Sequence, residues 1–151
     1  MIYLNLPPRI KVLEAIGAIA DGRVRVIDDK SCKVYSSLRD KEYSVFVDLE
    51  KGLAYSDDNG TKYRNYIGYP IIAFLMIKEV LPYNEKIAKA LQGISWKTLN
   101  EKYKKYSIVE KIVKGIAKER GVSESEIDLF ISNVMSRLRM LKLRKSEKPL
   151  I

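Results

Sequence analysis

The longest apolar run of the chain, YPIIAFLMI from Tyr69 to Ile77, separates two regions of different pattern. Short runs with strand-like composition precede it, and segments with helical spacing follow it. The run itself predicts a helix from Tyr69 to Leu81, which Pro82 ends. At nine residues it is too short to span a bilayer. The order of one helix, a small sheet and then helices predicts an α+β fold.

The first region predicts a helix followed by a meander of about four antiparallel strands. Pro8 suits the first turn of the helix, and Gly22 suits a left-handed cap at its end. The predicted strands are RVRVI (23–27), CKVYS (32–36), YSVFVDL (43–49) and LAYS (53–56). The polar segment SDDNGTKYRN (56–65) predicts a loop, because Asn59-Gly60 is a turn signal.

The residue composition restricts the chemistry that the chain can perform. Cys32 is the single cysteine and histidine is absent, so the sequence excludes an internal disulfide and an ordinary zinc site. The eight glycines form no phosphate-binding loop. We therefore predict a protein that is not an enzyme and uses no cofactor. An enzyme with a carboxylate-bound metal is a distant third hypothesis, based on Asp48, Glu50, Asp57 and Asp58.

The frame of residues 9–80 resembles the SWIM zinc-binding domain in the order of its elements. That family carries Cys-x-Cys on the short return strand and Cys-x-His at the start of the following helix. The corresponding positions here are Ala54, Ser56, Gly68 and Pro70, and Cys32 lies at none of them. The resemblance therefore implies a SWIM-like fold, and a tendency to bind DNA or proteins, without the zinc ion.

The tyrosines of this region offer a possible contact surface. Tyr63 and Tyr66 are interleaved with Lys62 and Arg64, an arrangement typical of loops on which nucleic-acid bases stack. Packing of the tyrosine rings against the fold remains the alternative. The neighbouring loop carboxylates, 57–58, either bind a hard cation or form a solvated turn.

Charge is distributed unevenly along the chain. Residues 1–80 hold 12 basic and 11 acidic side chains, and residues 81–151 hold 16 and 8, which places +8 of the net charge of +9 in the second region. Such segregation favours an anionic partner. We divide the chain into a SWIM-like module, 1–82, and a basic helical region, 83–151, which packs on it; one continuous domain is the alternative.

Part of the helical region resembles a helix-turn-helix core. The segment is IVKGIAKERGVSESEIDLFIS, and the residues at the positions typical of that motif are Ala117, Gly121, Val122, Ile127 and Phe130. A capping box of Ser123 and Glu126 predicts the start of the second helix, which we extend to Lys145. Its first turns are acidic, which opposes insertion into a DNA groove.

The end of this last helix carries the residues that we predict to contact phosphates: Arg137, Arg139, Lys142, Arg144 and Lys145. The preferred function is nucleic-acid binding, mainly electrostatic and weakly sequence-specific, with DNA favoured over RNA. The alternative is a protein partner or a homodimer that docks on an apolar seam: Ile127, Ile131, Val134, Leu138 and Leu141.

The remaining expectations concern the cellular setting. The first residues, MIYLNLPPRI, have no pattern of a signal peptide, so we expect a cytoplasmic protein without a membrane partner. Gln92 is the single glutamine, and Lys, Glu and Ile are plentiful. This bias is typical of thermophiles, and the chain resembles uncharacterised proteins of thermophilic archaea.

Overall fold

The computed structural model describes residues 2–148, which form seven α-helices and five β-strands. In chain order they are α1 Ile10–Ala20, β1 Val24–Val26, β2 Ser31–Tyr35, β3 Glu42–Asp48, β4 Leu53–Ser56, α2 Asn59–Arg64, α3 Tyr69–Ile77, α4 Glu85–Ala90, α5 Trp96–Tyr103, α6 Tyr106–Glu119, α7 Glu124–Met140 and β5 Arg144–Lys145. The predicted α+β fold is confirmed, with an N-terminal helix, a small sheet and a helical C-terminal half.

The sheet contains the predicted antiparallel meander and one further strand. Its order is β1-β2-β3-β4-β5, and the first four strands pair antiparallel with their sequence neighbours. The two-residue strand β5 pairs parallel to β4 through Leu53 with Arg144 and Ala54 with Lys145. The last helix was predicted to continue through these residues, but it ends at Met140, and Leu141 is already extended. Long-range pairing with β4 thus replaces local helix formation.

A short helix replaces the predicted loop between β4 and α3. The Asp58 side chain caps α2, because its Oδ2 atom accepts a hydrogen bond from the Thr61 N–H at 3.1 Å. Asp57 Oδ1 accepts from the Ser44 N–H at 2.8 Å. Both carboxylates of the possible cation loop are therefore used as acceptors inside the fold.

Helix α3 lies at the centre of the core, where it packs against α1. Its residues from Pro70 to Met76 are all buried, as expected for a helix that is apolar on every side. It ends at Ile77 and not at the predicted Leu81, because Glu79 has a positive φ of 63° that breaks the helix.

One hydrophobic core includes side chains of both halves of the chain. The predicted capping box of Ser123 and Glu126 is confirmed at the start of α7, and Asn84 caps α4. Four residues of the apolar seam are buried in this core: Ile127, Ile131, Val134 and Leu138. The seam is therefore internal packing and not the exposed docking stripe of the alternative hypothesis. Across residues 2–148, the helices are all too short or too polar to cross a membrane.

Candidate functional site

The predicted phosphate contacts fall into two groups in the structure. Arg137 and Arg139 are exposed in the last turn of α7, and Lys142 is exposed just beyond it. Arg144 and Lys145 lie on β5, at the edge of the sheet. Arg137 points back to the protein, since its Nη1 atom lies 3.5 Å from the Val80 carbonyl oxygen.

Lys145 differs from its basic neighbours because it is buried. Its ammonium group donates hydrogen bonds to the Lys62 carbonyl oxygen at 2.8 Å and to Asn65 Oδ1 at 2.9 Å. These bonds occupy the side chain within the fold, so we remove Lys145 from the set of phosphate contacts.

The same hydrogen bonds join β5 to the predicted contact loop. That loop is α2, where Lys62, Tyr63 and Arg64 are exposed. Tyr63 is 69% exposed, and the Lys62 ammonium lies 5.3 Å from the centre of its ring. Lys145 thus links two basic segments that are 83 residues apart in sequence.

Tyr66 does not belong to this surface. Its ring is buried against Gly60, where a Cβ atom would lie 2.3 Å from the ring. Burial raises the pKa of Tyr66 to about 12, so the hydroxyl stays protonated. The packing alternative therefore describes Tyr66, whereas Tyr63 remains available for contact.

Further contacts extend this surface along β4 and β5. Arg144 Nη2 donates to the Lys51 carbonyl oxygen at 3.0 Å, and Gly52 approaches the backbone of Lys142. We call the resulting set the basic face, which comprises Lys51, Lys62, Arg64, Arg139, Lys142 and Arg144. No carboxylate of residues 2–148 forms an ion pair with these six side chains.

A groove of about 790 Å³ borders the basic face. The N-terminal segment from Tyr3 to Leu6 forms one wall, and Arg139 and Lys142 contribute to the other. The Tyr3 side chain is 60% exposed there. Cations and an exposed aromatic ring thus occur side by side.

The helix-turn-helix-like segment has a different character. Ala117, Val122 and Phe130 are buried between α6 and α7, which accounts for the apolar spacing of the motif. The acidic start of α7 is partly paired within the fold, since Asp128 accepts from Lys114 and from Arg9, and Glu126 accepts from Lys86. The Lys114 ammonium is the main cause that lowers the pKa of Asp128.

A second feature, which the sequence did not indicate, is a polar cavity of about 360 Å³. Its lining comes from α1, the residue before β1, the turn between β2 and β3, the start of β3, the first residues of α2 and α3, and α5. Glu14 and Arg23 are fully buried beside it. The one local signal that could have indicated this site is a Glu in the middle of an apolar helix, because a carboxylate is rarely buried without a partner.

A family model matches residues 4–144, and its description is "Uncharacterised conserved protein UCP014422". The chain belongs to this family. The match spans all the elements from α1 to the first residue of β5, and therefore both the basic face and the polar cavity. No curated protein and no solved structure matches the chain.

Proposed function

We propose that this protein binds nucleic acid through the basic face, mainly by electrostatic contacts with phosphates and with weak sequence specificity. The proposal rests on one observation. The exposed cations of α2 and those at and beyond the end of α7 lie on segments that Lys145 joins, and within residues 2–148 they have no carboxylate partner. The role is binding and not catalysis, and DNA is the favoured polymer.

The physical basis is the release of counterions from a polyanion. Each phosphate that a Lys or Arg neutralises releases condensed cations, so the affinity falls as the salt concentration rises. The exposed Tyr3 and Tyr63 rings add surfaces on which unpaired bases stack. Stacking of this kind tolerates any base, which agrees with weak sequence specificity.

The test is a salt-titrated binding assay with duplex DNA, single-stranded DNA and RNA of equal length. The variant Arg139→Ala/Lys142→Ala removes two cations of the basic face. We expect the affinity at low salt to fall roughly tenfold, and the slope of log affinity against log salt to decrease by about 2.

A matched control removes the same charge elsewhere. Arg25→Ala/Lys118→Ala substitutes one exposed Arg on the opposite edge strand, β1, and one exposed Lys on α6. This control is expected to change the salt slope much less. Equal losses in both variants would show that net charge alone drives binding, and the basic face would lose its role. Absence of binding at low salt to all three polymers would refute the proposal.

A further inference from the structure

The polar cavity lies between the sheet and the helical half, and its walls combine charged, polar and aromatic side chains. The residues that carry the argument are Glu14, Arg23, Tyr43, Tyr69, Trp96 and Asn100. The volume of about 360 Å³ is within the range of small-molecule sites. The cavity and the basic face share no residue, although both border α2: Asn59 lines the cavity, whereas Lys62 and Arg64 belong to the basic face.

Arg23 is the only strongly buried cation beside the cavity within residues 2–148, at 2% exposure. Its Nη1 atom donates to the Tyr35 carbonyl oxygen at 2.8 Å. Its Nε atom forms an ion pair with Asp21 Oδ2 at 3.8 Å, which is too far for a hydrogen bond, and has no hydrogen-bond partner among the described residues. A guanidinium group with donors still unused is suited to a carboxylate or a phosphate.

The other charged groups of the cavity wall are largely paired. Glu14 accepts hydrogen bonds from the Lys11 ammonium at 2.8 Å and from Asn100 Nδ2 at 2.6 Å. Burial alone would lower the pKa of Lys11, but the Glu14 carboxylate outweighs it, and the pKa is raised. Lys97 donates to Asp40 at 2.8 Å, near the mouth. Because these groups are paired, Arg23 is the buried group that still has hydrogen-bond donors for an anion.

Two more residues of the wall hold unused polar atoms. Trp96 Nε1 and Asn100 Oδ1 are buried and have no hydrogen-bond partner among residues 2–148. The first is a donor and the second an acceptor. Tyr69 adds a hydroxyl whose pKa burial raises, so it stays a donor at neutral pH. Its ring meets Tyr43 edge to face, with centroids 6.3 Å apart, and the two rings form an apolar wall.

We propose that the cavity binds a small organic anion, a carboxylate or a phosphate, which also carries a hydroxyl or amino group. Arg23 and the Tyr69 hydroxyl donate to the anionic end. Asn100 Oδ1 has almost no accessible surface, so a small turn of this side chain about its hydrogen bond with Glu14 brings the oxygen into the cavity, where it accepts from the hydroxyl or amino group. Such a ligand satisfies polar groups that the fold alone leaves without partners.

Trp96 is the single tryptophan of the chain, so its fluorescence reports directly on the cavity. We would titrate the protein with two matched pairs of compounds. Malate and succinate differ by one hydroxyl group, and phosphoethanolamine and ethyl phosphate differ by one amino group. We expect saturable fluorescence changes, with malate or phosphoethanolamine bound about tenfold more tightly than its partner compound.

Two variants test the assigned roles, with melting temperature as the check on folding. Arg23→Lys keeps the charge but loses the forked donors. It should weaken the binding of both compounds in each matched pair about tenfold. Asn100→Ala should abolish the preference for the hydroxyl or amino compound and leave the plain anion bound as before. The control is Arg120→Lys, which substitutes an exposed arginine outside the cavity. It should change neither the affinity for the four compounds nor the preference within each pair.

Two results would overturn the proposal. One is the absence of a saturable fluorescence change with all four compounds, which would assign the unpaired polar atoms to water. The other is binding that Arg23→Lys and Asn100→Ala leave unchanged. Neither result bears on nucleic-acid binding, because the cavity and the basic face share no residue.

Discussion

The basic face and the polar cavity contain the same kinds of side chain in opposite states. On the basic face, Lys and Arg are mostly exposed and carry no carboxylate partner within residues 2–148. At the cavity, the largely buried Lys11 forms an ion pair with Glu14. Water solvates an exposed ammonium group, whereas a buried charge needs a partner to offset its desolvation.

This difference implies two modes of recognition. An exposed set of cations acts by its summed field, which salt screens over about 10 Å. A buried site acts through a few directional hydrogen bonds in a medium of low dielectric constant, which salt screens much less. Binding at the basic face should therefore depend steeply on salt, and binding in the cavity only weakly.

The largest expected effect concerns the buried carboxylate of the cavity. Glu14→Gln removes the negative charge that pairs with Lys11, and it weakens the hydrogen bond that Asn100 Nδ2 donates to residue 14. We expect the free energy of unfolding to fall by about 3 kcal/mol, as measured by urea denaturation, because Lys11 is left largely buried without its counterion. Glu124→Gln, on the exposed first turn of α7, should change it little. Equal losses of stability in Glu14→Gln and Glu124→Gln would show that the buried carboxylate contributes no more than an exposed one.

A pair of helical glycines provides the next comparison. Gly17 packs on Trp96, and a Cβ atom there would lie 2.7 Å from the indole Nε1 atom. Gly17→Ala should therefore destabilise the protein by about 2 kcal/mol and weaken ligand binding, because the indole must shift. Gly115→Ala in α6 meets nothing within 4 Å and should stabilise the protein by up to about 1 kcal/mol. Thermal unfolding measures both, and stabilisation by Gly17→Ala would disprove the tight contact.

Lys142 and Lys145 divide the basic cluster by function. Lys145→Met leaves the Lys62 carbonyl oxygen and Asn65 Oδ1 without their donor, so we expect a loss of between about 1 and 2 kcal/mol of stability. Lys142→Met removes an exposed cation, so stability should hold while nucleic-acid affinity falls. The two measurements are urea denaturation and the salt-titrated assay. A reversed pattern would show that the structural and binding roles were assigned wrongly.

The smallest expected effect is a change in acid sensitivity at the start of α7. The Lys86 ammonium, followed by the Ser123 N–H, lowers the pKa of Glu126 from 4.5 to about 2. A carboxylate with a depressed pKa contributes stability that is present above about pH 4.5 and is lost as the pH falls towards about 2. Glu126→Gln should make unfolding less dependent on pH in that window. The same curve for Glu124→Gln should match the wild type, and an unchanged slope in Glu126→Gln would contradict the assignment.

The α+β order, the four-stranded meander and most helix starts were predictable because they depend on local signals. Turn residues separate the strands, and Ser123 and Glu126 form a capping box between neighbours in sequence. We did not predict helix α2 because Asn59-Gly60 is a turn signal. The Asp58 side chain caps the helix, and this cap depends on burial of the loop, which the sequence does not show. The uneven distribution of charge predicted that the second half of the chain meets an anionic partner, but it did not predict which cations are exposed.

By itself, the sequence determined the class of fold, the positions of the caps and the exclusion of an ordinary zinc site, because these follow from residue types and short spacings. Only the tertiary structure decided which side chains meet. It paired β5 with β4, buried Lys145 against α2 and placed Arg23 beside Asn100 in one cavity. Burial and long-range contact set whether a charged group is solvated or must find a partner, and no local pattern encodes them.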